Sequence, residues 1–501
     1  MSKFNAVASS PFEMIVNHEG NPAFAMNDKE KLVSQVLTSF FREDKFYGDN
    51  SGELIETLKR VIEKDPGFVS NLAIFARREF NMRSVSHVLT GYLAHEPAGK
   101  PYVKRTLENI IMRGDDATEI LAFYLETFGK PIPNSLRKGL RDIFPKFDAY
   151  TLAKYKGTGK TVKMRDILCL THPAPNSEEQ AKTWKQLLEG TLPPAYTWET
   201  ELSAKGNTKE TWEELIESGK VGYMAMLRNL RNILISAPDN FNQVIRKIAD
   251  PEEVRKSRQL PFRFLSAYRS IPYIGKATDI IALQTALEIA AEIAVENLPK
   301  IPGKTIIAVD VSGSMMDRIS KHSDIRCSDI SLLMGMIANR ICEESVVYLF
   351  DHHIEEFQPP ERKELLSAVV NMDVWGGGTD MSLPFLKMIE DHIDCDRIII
   401  LSDNECNYQC SITEEDQDPD SYFSWLRSQD IETVQTLANR YCKQIGHKIW
   451  IHAVDLQGYG TQQFRGSQVN YISGWSEKIF NFIPLAEQGI DSLITRIDGN
   501  Y

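Results

Sequence analysis

Apolar residues recur at intervals of three and four from about residue 28 to residue 296, and polar residues fill the positions between. The first clear stripe is Leu32, Val33, Val36, Leu37 and Phe40, and Asn27 or Asp28 precedes it as a helix cap. The same period predicts helices over 51–63, 66–80, 101–112, 117–128, 134–144, 149–155, 163–170 and 178–189. It continues over 209–217, 223–235, 240–248, 261–268 and 276–296. Residues 1–28, with Pro11, Gly20 and Pro22, read as irregular. Short loops join the helices and no alternating strand pattern interrupts them. The expected fold for residues 1–298 is therefore an all-α, HEAT-like solenoid of stacked helix pairs. No clean sequence period is visible, so any repeats are structural.

The pattern changes at residues 298–304, LPKIPGK, which read as a Pro/Gly linker and domain boundary. Beyond it, short apolar runs rich in β-branched residues alternate with helical segments. Strands are predicted at 306–309, 346–350, 397–401, 449–454 and 469–472. Helices are predicted at 363–370, 383–389 and 433–444, with a closing helix from 477. Runs apolar on both faces belong to a parallel sheet covered on both sides. Residues 304–501 are therefore expected to form an α/β, doubly wound domain.

The first of these strands ends in Asp310-Val-Ser312-Gly313-Ser314. One carboxylate and two hydroxyls at the carboxyl end of a parallel strand are hard oxygen ligands suited to Mg²⁺ or Mn²⁺. Gly313 lets the backbone turn tightly there. Thr379 follows in the glycine-rich loop WGGGTDM, and Asp403 ends the strand RIIILSDNE. Residues 404–432 are a polar insertion beside that edge, with five acids between positions 414 and 420.

Charge is unevenly spread. The 501 residues carry a net charge of −12, but residues 301–501 hold 16 basic and 31 acidic side chains, a balance of −15. Subtraction from totals of 57 and 69 leaves 41 and 38 for residues 1–300, a balance of +3. The second half is acidic, and the first can hold a polyanion site. Seven scattered cysteines suggest no disulfide framework. No secretory signal or membrane span is read, so the expectation is a cytoplasmic protein with no membrane role.

Residues 130–166 hold ten basic and three acidic residues. In the helix over 134–144, Leu136, Leu140, Ile143 and Phe144 share one face, and Arg137, Lys138 and Arg141 share the other. Lys146, Lys163 and Arg165 extend the basic run, and His172 follows the next helix. Fixed outward cations suit a phosphate backbone, whereas a solvated surface is the ordinary alternative. KGTGKT over 156–161 lacks the first glycine and preceding strand of a phosphate-binding loop. Cys395, Cys406, Cys410 and His392 fit no common zinc spacing. His352 and His353 follow a strand with no matched acid. With no nucleophile–base set, no enzyme is expected.

The succession of DxSxS, GGxTD and strand–SD resembles the von Willebrand factor A domain and its metal-ion-dependent adhesion site. The resemblance makes Asp310, Ser312, Ser314, Thr379 and Asp403 the metal ligands, the last through water. The helical half resembles the TROVE module in RKGLRDIFPKFDAYTLAKYKG, KMRDILCLTHPAP, TWETELS, WEELIESGKVGYMAMLRNLRNIL and SRQLPFRFLSAYR. The two modules together resemble the Ro ribonucleoprotein family, in a compact form like that of its bacterial members. That resemblance implies a monomer whose helical ring is closed by the A domain. It implies binding of small noncoding Y-like RNA on an outer basic surface, with 3′ ends of misfolded RNA in the ring's hole. An exoribonuclease partner in RNA quality control is implied too. Lys138, Arg141, Lys163, Arg165 and His172 match the family's segments, as do Arg228 and Arg231, which could instead cap or pair with neighbouring helices. A protein-interaction scaffold and a metal-dependent nuclease using Asp310 and Asp403 are the alternatives.

Overall fold

A computed structural model describes residues 14–16, 22–24, 28–38, 52–157, 159–271, 276–319, 324–360, 364–372, 376–403, 434–456, 464, 466, 468–473 and 478–500. Two compact units are present: Met1–Leu192 with Gln488–Tyr501, and Pro193–Glu487.

In the first unit, helices stack in two rows. Pro66–Arg78 packs on Val103–Ile110, which packs on Asn134–Ile143, which packs on Met164–Thr171. The other row includes Ser84–His95 against Gly114–Phe128. Each helix of a row contacts the next helix but one in the chain, the arrangement of stacked helix pairs that the sequence led us to expect. Ser84–His95 was not anticipated from the sequence. It is buried along nearly its whole length, so it has no polar stripe to mark a period. The N-terminal stretch, expected to be irregular, holds a short antiparallel hairpin of β1 (Met14–Val16) and β2 (Pro22–Phe24). The C-terminal helix Ile490–Asn500 returns to this unit, packing on Pro66–Arg78 with Leu493 and Ile497 buried.

Buried Asp116 ties this unit together. Its carboxylate accepts hydrogen bonds from Arg77 at 3.3 Å, from Arg83, and from the backbone N–H groups of Met112 and Arg113 at 3.0 and 2.9 Å. His87 lies 3.2 Å away. Burial alone would raise this acid, but the His87 and Arg83 contacts outweigh it and hold the carboxyl well below the usual range.

The second unit contains a six-stranded sheet in the order β5-β4-β3-β6-β7-β8. The strands are β3 (Ile301–Asp310), β4 (Cys342–Phe350), β5 (Ile354–Phe357), β6 (Arg397–Ser402), β7 (Trp450–Asp455) and β8 (Val469–Ser473). All pairs are parallel except the edge pair β4–β5. The first strand sits centrally with later strands on either side, which is the doubly wound topology. Ile306, Ala308, Ile398 and Ile400 bury one face against Phe385 and Tyr441. Val309 faces helix Cys327–Ile341 so closely that a Cβ on Gly335 would meet its Cγ2 at 2.5 Å. That helix, buried nearly all round, also escaped the sequence pattern.

The stretch read as a linker is partly strand. β3 begins at Ile301, and its register with β4 shifts between Ile301 and Lys304. Gly303 takes φ +79° there, and a side chain on it would meet Asp396 Oδ2 at 2.3 Å. The glycine marks a bulge in the central strand rather than a free connection. Helices of 193–295 pack into this unit. Glu288 accepts hydrogen bonds from the N–H groups of Leu366 and Ser367 at 2.8 and 2.6 Å, opening helix Leu365–Asn371. Arg340 donates from Nε and Nη2, one edge of its guanidinium, to both carboxylate oxygens of Glu292. Among the described residues no helix is long and apolar enough to cross a membrane.

Candidate metal centre and nucleic-acid interface

Strands β3 and β6 are neighbours in register, Val309 opposite Leu401, so Asp310 and Ser402 leave the sheet side by side. Asp310, Ser312 and Asp403 are fully buried, Thr379 is nearly so, and Ser314 is half-buried. Ser312 N–H donates to Asp310 Oδ1 at 2.8 Å, and Ser402 donates its hydroxyl to Oδ2 at 2.5 Å. The Ser312 and Ser314 hydroxyls are 3.3 Å apart. The glycine-rich loop carrying Thr379 is tied to this turn by Gly313 N–H to Gly377 O at 2.8 Å and Gly376 N–H to Val311 O at 3.3 Å.

Burial pushes the Asp310 carboxyl up to about 7, and the nearby Asp403 charge pushes the same way against the Ser312 and Ser402 hydrogen bonds. A buried carboxylate pair edged by hydroxyls has the donor chemistry of a hard divalent ion site. The residues present fit such an ion.

Asp351, which the sequence pattern did not single out, organises the same edge. It directly follows β4, is fully buried, and accepts the Gly377 N–H at 3.2 Å, while its own carbonyl accepts the Asp380 N–H at 2.9 Å. Its Oδ2 lies 3.0 Å from His352 Nδ1. The expectation that His352 and His353 lack a matched acid is therefore wrong. The acid is the residue before them, which the run of apolar strand residues concealed. Cys395, whose spacing from Cys406, Cys410 and His392 fits no common zinc site, is buried against the Tyr441 hydroxyl at 3.2 Å, and burial pushes its thiol up to about 11. Cys406, Cys410 and the acidic insertion lie outside the described residues.

In the first unit, helix Asn134–Ile143 buries Leu136, Gly139, Leu140 and Ile143. Each large apolar side chain contributes about 1.5–3 kcal/mol on burial. Gly139 lets Leu107 approach, since a Cβ there would meet its Cδ1 at 2.5 Å. That packing leaves Arg137, Lys138 and Arg141 exposed. Lys146 and Arg165 are exposed as well, and Lys163 is half-buried at the cap of helix Met164–Thr171. His172 is exposed and closes that helix in a left-handed conformation, φ 45°. Arg141 pairs with neighbouring Asp142 at 3.0 Å, and Arg137 donates to Asn134 at 2.7 Å. Among the described residues Lys138 and Lys146 make no ion pair. Arg228 and Arg231 are exposed on helix Tyr223–Ser236, also without an ion pair among the described residues.

An α-helical repeat array and an A-type α/β domain with a carboxylate–hydroxyl edge define a recognisable class. Residues 32–191 and 190–285 match the TROVE domain, more than half of the chain, and residues 304–415 match the Ro60 vWA domain. The chain belongs to the Ro family of TROVE-domain proteins. It is similar to telomerase protein component 1 of Rattus norvegicus, 28% identical over 43% of this chain and 11% of that protein. It is also similar to RNA-binding protein RO60 of Caenorhabditis elegans, 30% identical over 40% of this chain and 32% of that one. RO60 of Deinococcus radiodurans is 27% identical over 37% of each. The matches thus span well under half the length of these relatives. The crystal structure of the Deinococcus radiodurans RO (RSR) protein superposes with a TM-score of 0.65 and 16% identity, covering 94% of this chain and 99% of that one. At that identity the likeness is one of fold.

Proposed function

We propose that the chain binds small structured RNA, of the Y-like type, on the cationic face formed by Arg137, Lys138, Arg141, Lys146, Lys163, Arg165 and His172. The observation that carries this reading is the split of helix Asn134–Ile143, with its apolar face buried and its cations turned outward. Arg141 and Arg165 each have an acid beside them, at 3.0 and 3.9 Å, but Lys138 and Lys146 have no ion pair among the described residues. Like charges left over in this way repel one another, and a phosphate backbone relieves that repulsion. Two relatives bear the name RNA-binding protein, which supports the reading. The family resemblance adds 3′ ends of misfolded RNA as a second ligand and an exoribonuclease as a partner. The role is binding, not catalysis.

The second part of the proposal is a divalent ion, Mg²⁺ or Mn²⁺, held by Asp310, Ser312, Ser314, Thr379 and Asp403. When bound, it would offer an electrophilic anchor for a carboxylate of a protein partner. This chain's own residues shape that edge: Ser402 and the Ser312 N–H orient Asp310, and Asp351 holds the glycine-rich loop.

RNA crosslinked to the protein in its own cells, sequenced for the wild type and for Lys138→Ala/Arg141→Ala/His172→Ser, tests the RNA reading. One abundant structured RNA, lost in the variant, is expected. Enrichment of no RNA at all would overturn it.

A further inference from the structure

The cationic run is not the only feature of the first unit that suits RNA. A cavity of about 360 Å³ opens between the loop before helix Gly114–Phe128 and the short helix Ala149–Lys154. Arg113, Lys146 and Lys154 line it together with Tyr150, Tyr155 and Met112, and among the described residues no acid lines it. Tyr150 is 51% and Met112 50% exposed, an unusual display for large side chains on a surface otherwise well packed.

The wall is built, not incidental. Asp116 accepts the N–H groups of Met112 and Arg113 and so fixes the loop. Gly114 lets the Tyr155 ring lie against the helix start, since a Cβ there would meet Tyr155 Cδ2 at 2.9 Å and Thr151 Cγ2 at 2.7 Å. Asp115 holds the Arg113 guanidinium at 3.1 Å, and that group sits 5.4 Å from the Tyr155 ring centre. Lys154 Nζ lies 5.7 Å from the Tyr150 ring and 5.5 Å from the Tyr155 ring. Asp148 caps the short helix by accepting the Thr151 N–H at 2.7 Å, which sets the direction of Tyr150 and Lys154.

We infer that this cavity takes one unpaired nucleotide of an RNA strand, its base against Tyr150 and its phosphates on Lys146 and Lys154. Exposed aromatic rings interleaved with cations are what single-stranded recognition uses, because every base offers a π-face and every link a charge. The cavity lies at the small end of ligand sites, which run from ~300 to ~1,000 Å³, and admits a splayed base rather than a duplex. This inference rests on the RNA-binding reading above and gives it a second, single-strand contact beside the cationic run.

The test measures two RNAs on the full chain by fluorescence anisotropy: a labelled twelve-nucleotide oligouridine and a labelled stem-loop with a closed duplex. Tyr150→Ala should weaken the oligouridine by about tenfold or more, the effect of losing one stacked base. Tyr150→Phe should keep wild-type affinity, and neither change should alter stem-loop binding. Oligouridine affinity unchanged in Tyr150→Ala, with stem-loop binding intact, would overturn the cavity's role while leaving the RNA reading standing. Equal loss in the Ala and Phe variants would also overturn it, because stacking would not be the cause. Failure of the wild type to bind either RNA would sink the RNA reading itself and the cavity with it.

Discussion

Ser402, the last residue of β6, donates its hydroxyl hydrogen to Oδ2 of Asp310 at the end of β3, 2.5 Å away. The two residues are 92 positions apart and meet because their strands are adjacent in parallel register. Asp310 is thereby oriented toward the turn that holds Ser312 and Ser314.

If a divalent ion sits at this edge, Mg²⁺ or Mn²⁺ should raise the thermal midpoint of the wild type. Saturation at 100 times the dissociation constant corresponds to about 2.7 kcal/mol. Asp310→Asn should abolish the shift, and Ser402→Ala should reduce it. Differential scanning fluorimetry with and without each ion checks both, and a shift that persists in Asp310→Asn would sink the site.

Asp116 should carry a large share of the first unit's stability. Asp116→Asn leaves Arg77 and Arg83 without their buried partner, and a loss of about 3–5 kcal/mol is expected from denaturant unfolding. The acid is held below its unfolded value of about 3.9. Its stabilisation is therefore complete above that value and is lost as pH falls below it toward the folded one. Relative to wild type, the asparagine variant should show a flatter decline of stability below about pH 4.

Glu288 should hold the start of helix Leu365–Asn371. Its alanine variant leaves the Leu366 and Ser367 N–H groups without their acceptor, at a cost of about 1–3 kcal/mol. Amide hydrogen exchange at these two residues should speed up first. Unchanged protection there would show that another group takes over the cap.

Arg228 and Arg231 separate two roles. With no ion pair among the described residues, their alanine variants should change stability by less than about 0.5 kcal/mol. A clear loss of stability would restore the structural role that their sequence allows. Measured beside it, weaker RNA binding with a shallower salt dependence would place them on the interface.

Several features were legible in the chain because they are local. Apolar residues at a period near 3.6 marked most helices, including Asn134–Ile143 with its outward cations. Short β-branched runs marked the parallel strands, and Asp310-Val-Ser312-Gly313-Ser314 could be placed at a strand's end before any coordinates. The failures are equally physical. Ser84–His95 and Cys327–Ile341 are buried on nearly every side, so no polar stripe betrayed their period. Gly303 looked like a linker residue, but its positive φ serves a bulge in the central strand.

What the sequence by itself determined is the kind of element at each stretch and the donor chemistry each turn can offer, since both follow from neighbours within a few residues. Only the tertiary structure decided which distant groups meet. It set Asp351 under Gly377, Tyr150 beside Met112 and Arg113, and helix Ile490–Asn500 against Pro66–Arg78. Those meetings depend on the fit of whole apolar faces against one another, and many segments share the same period while few share the same complementary shape.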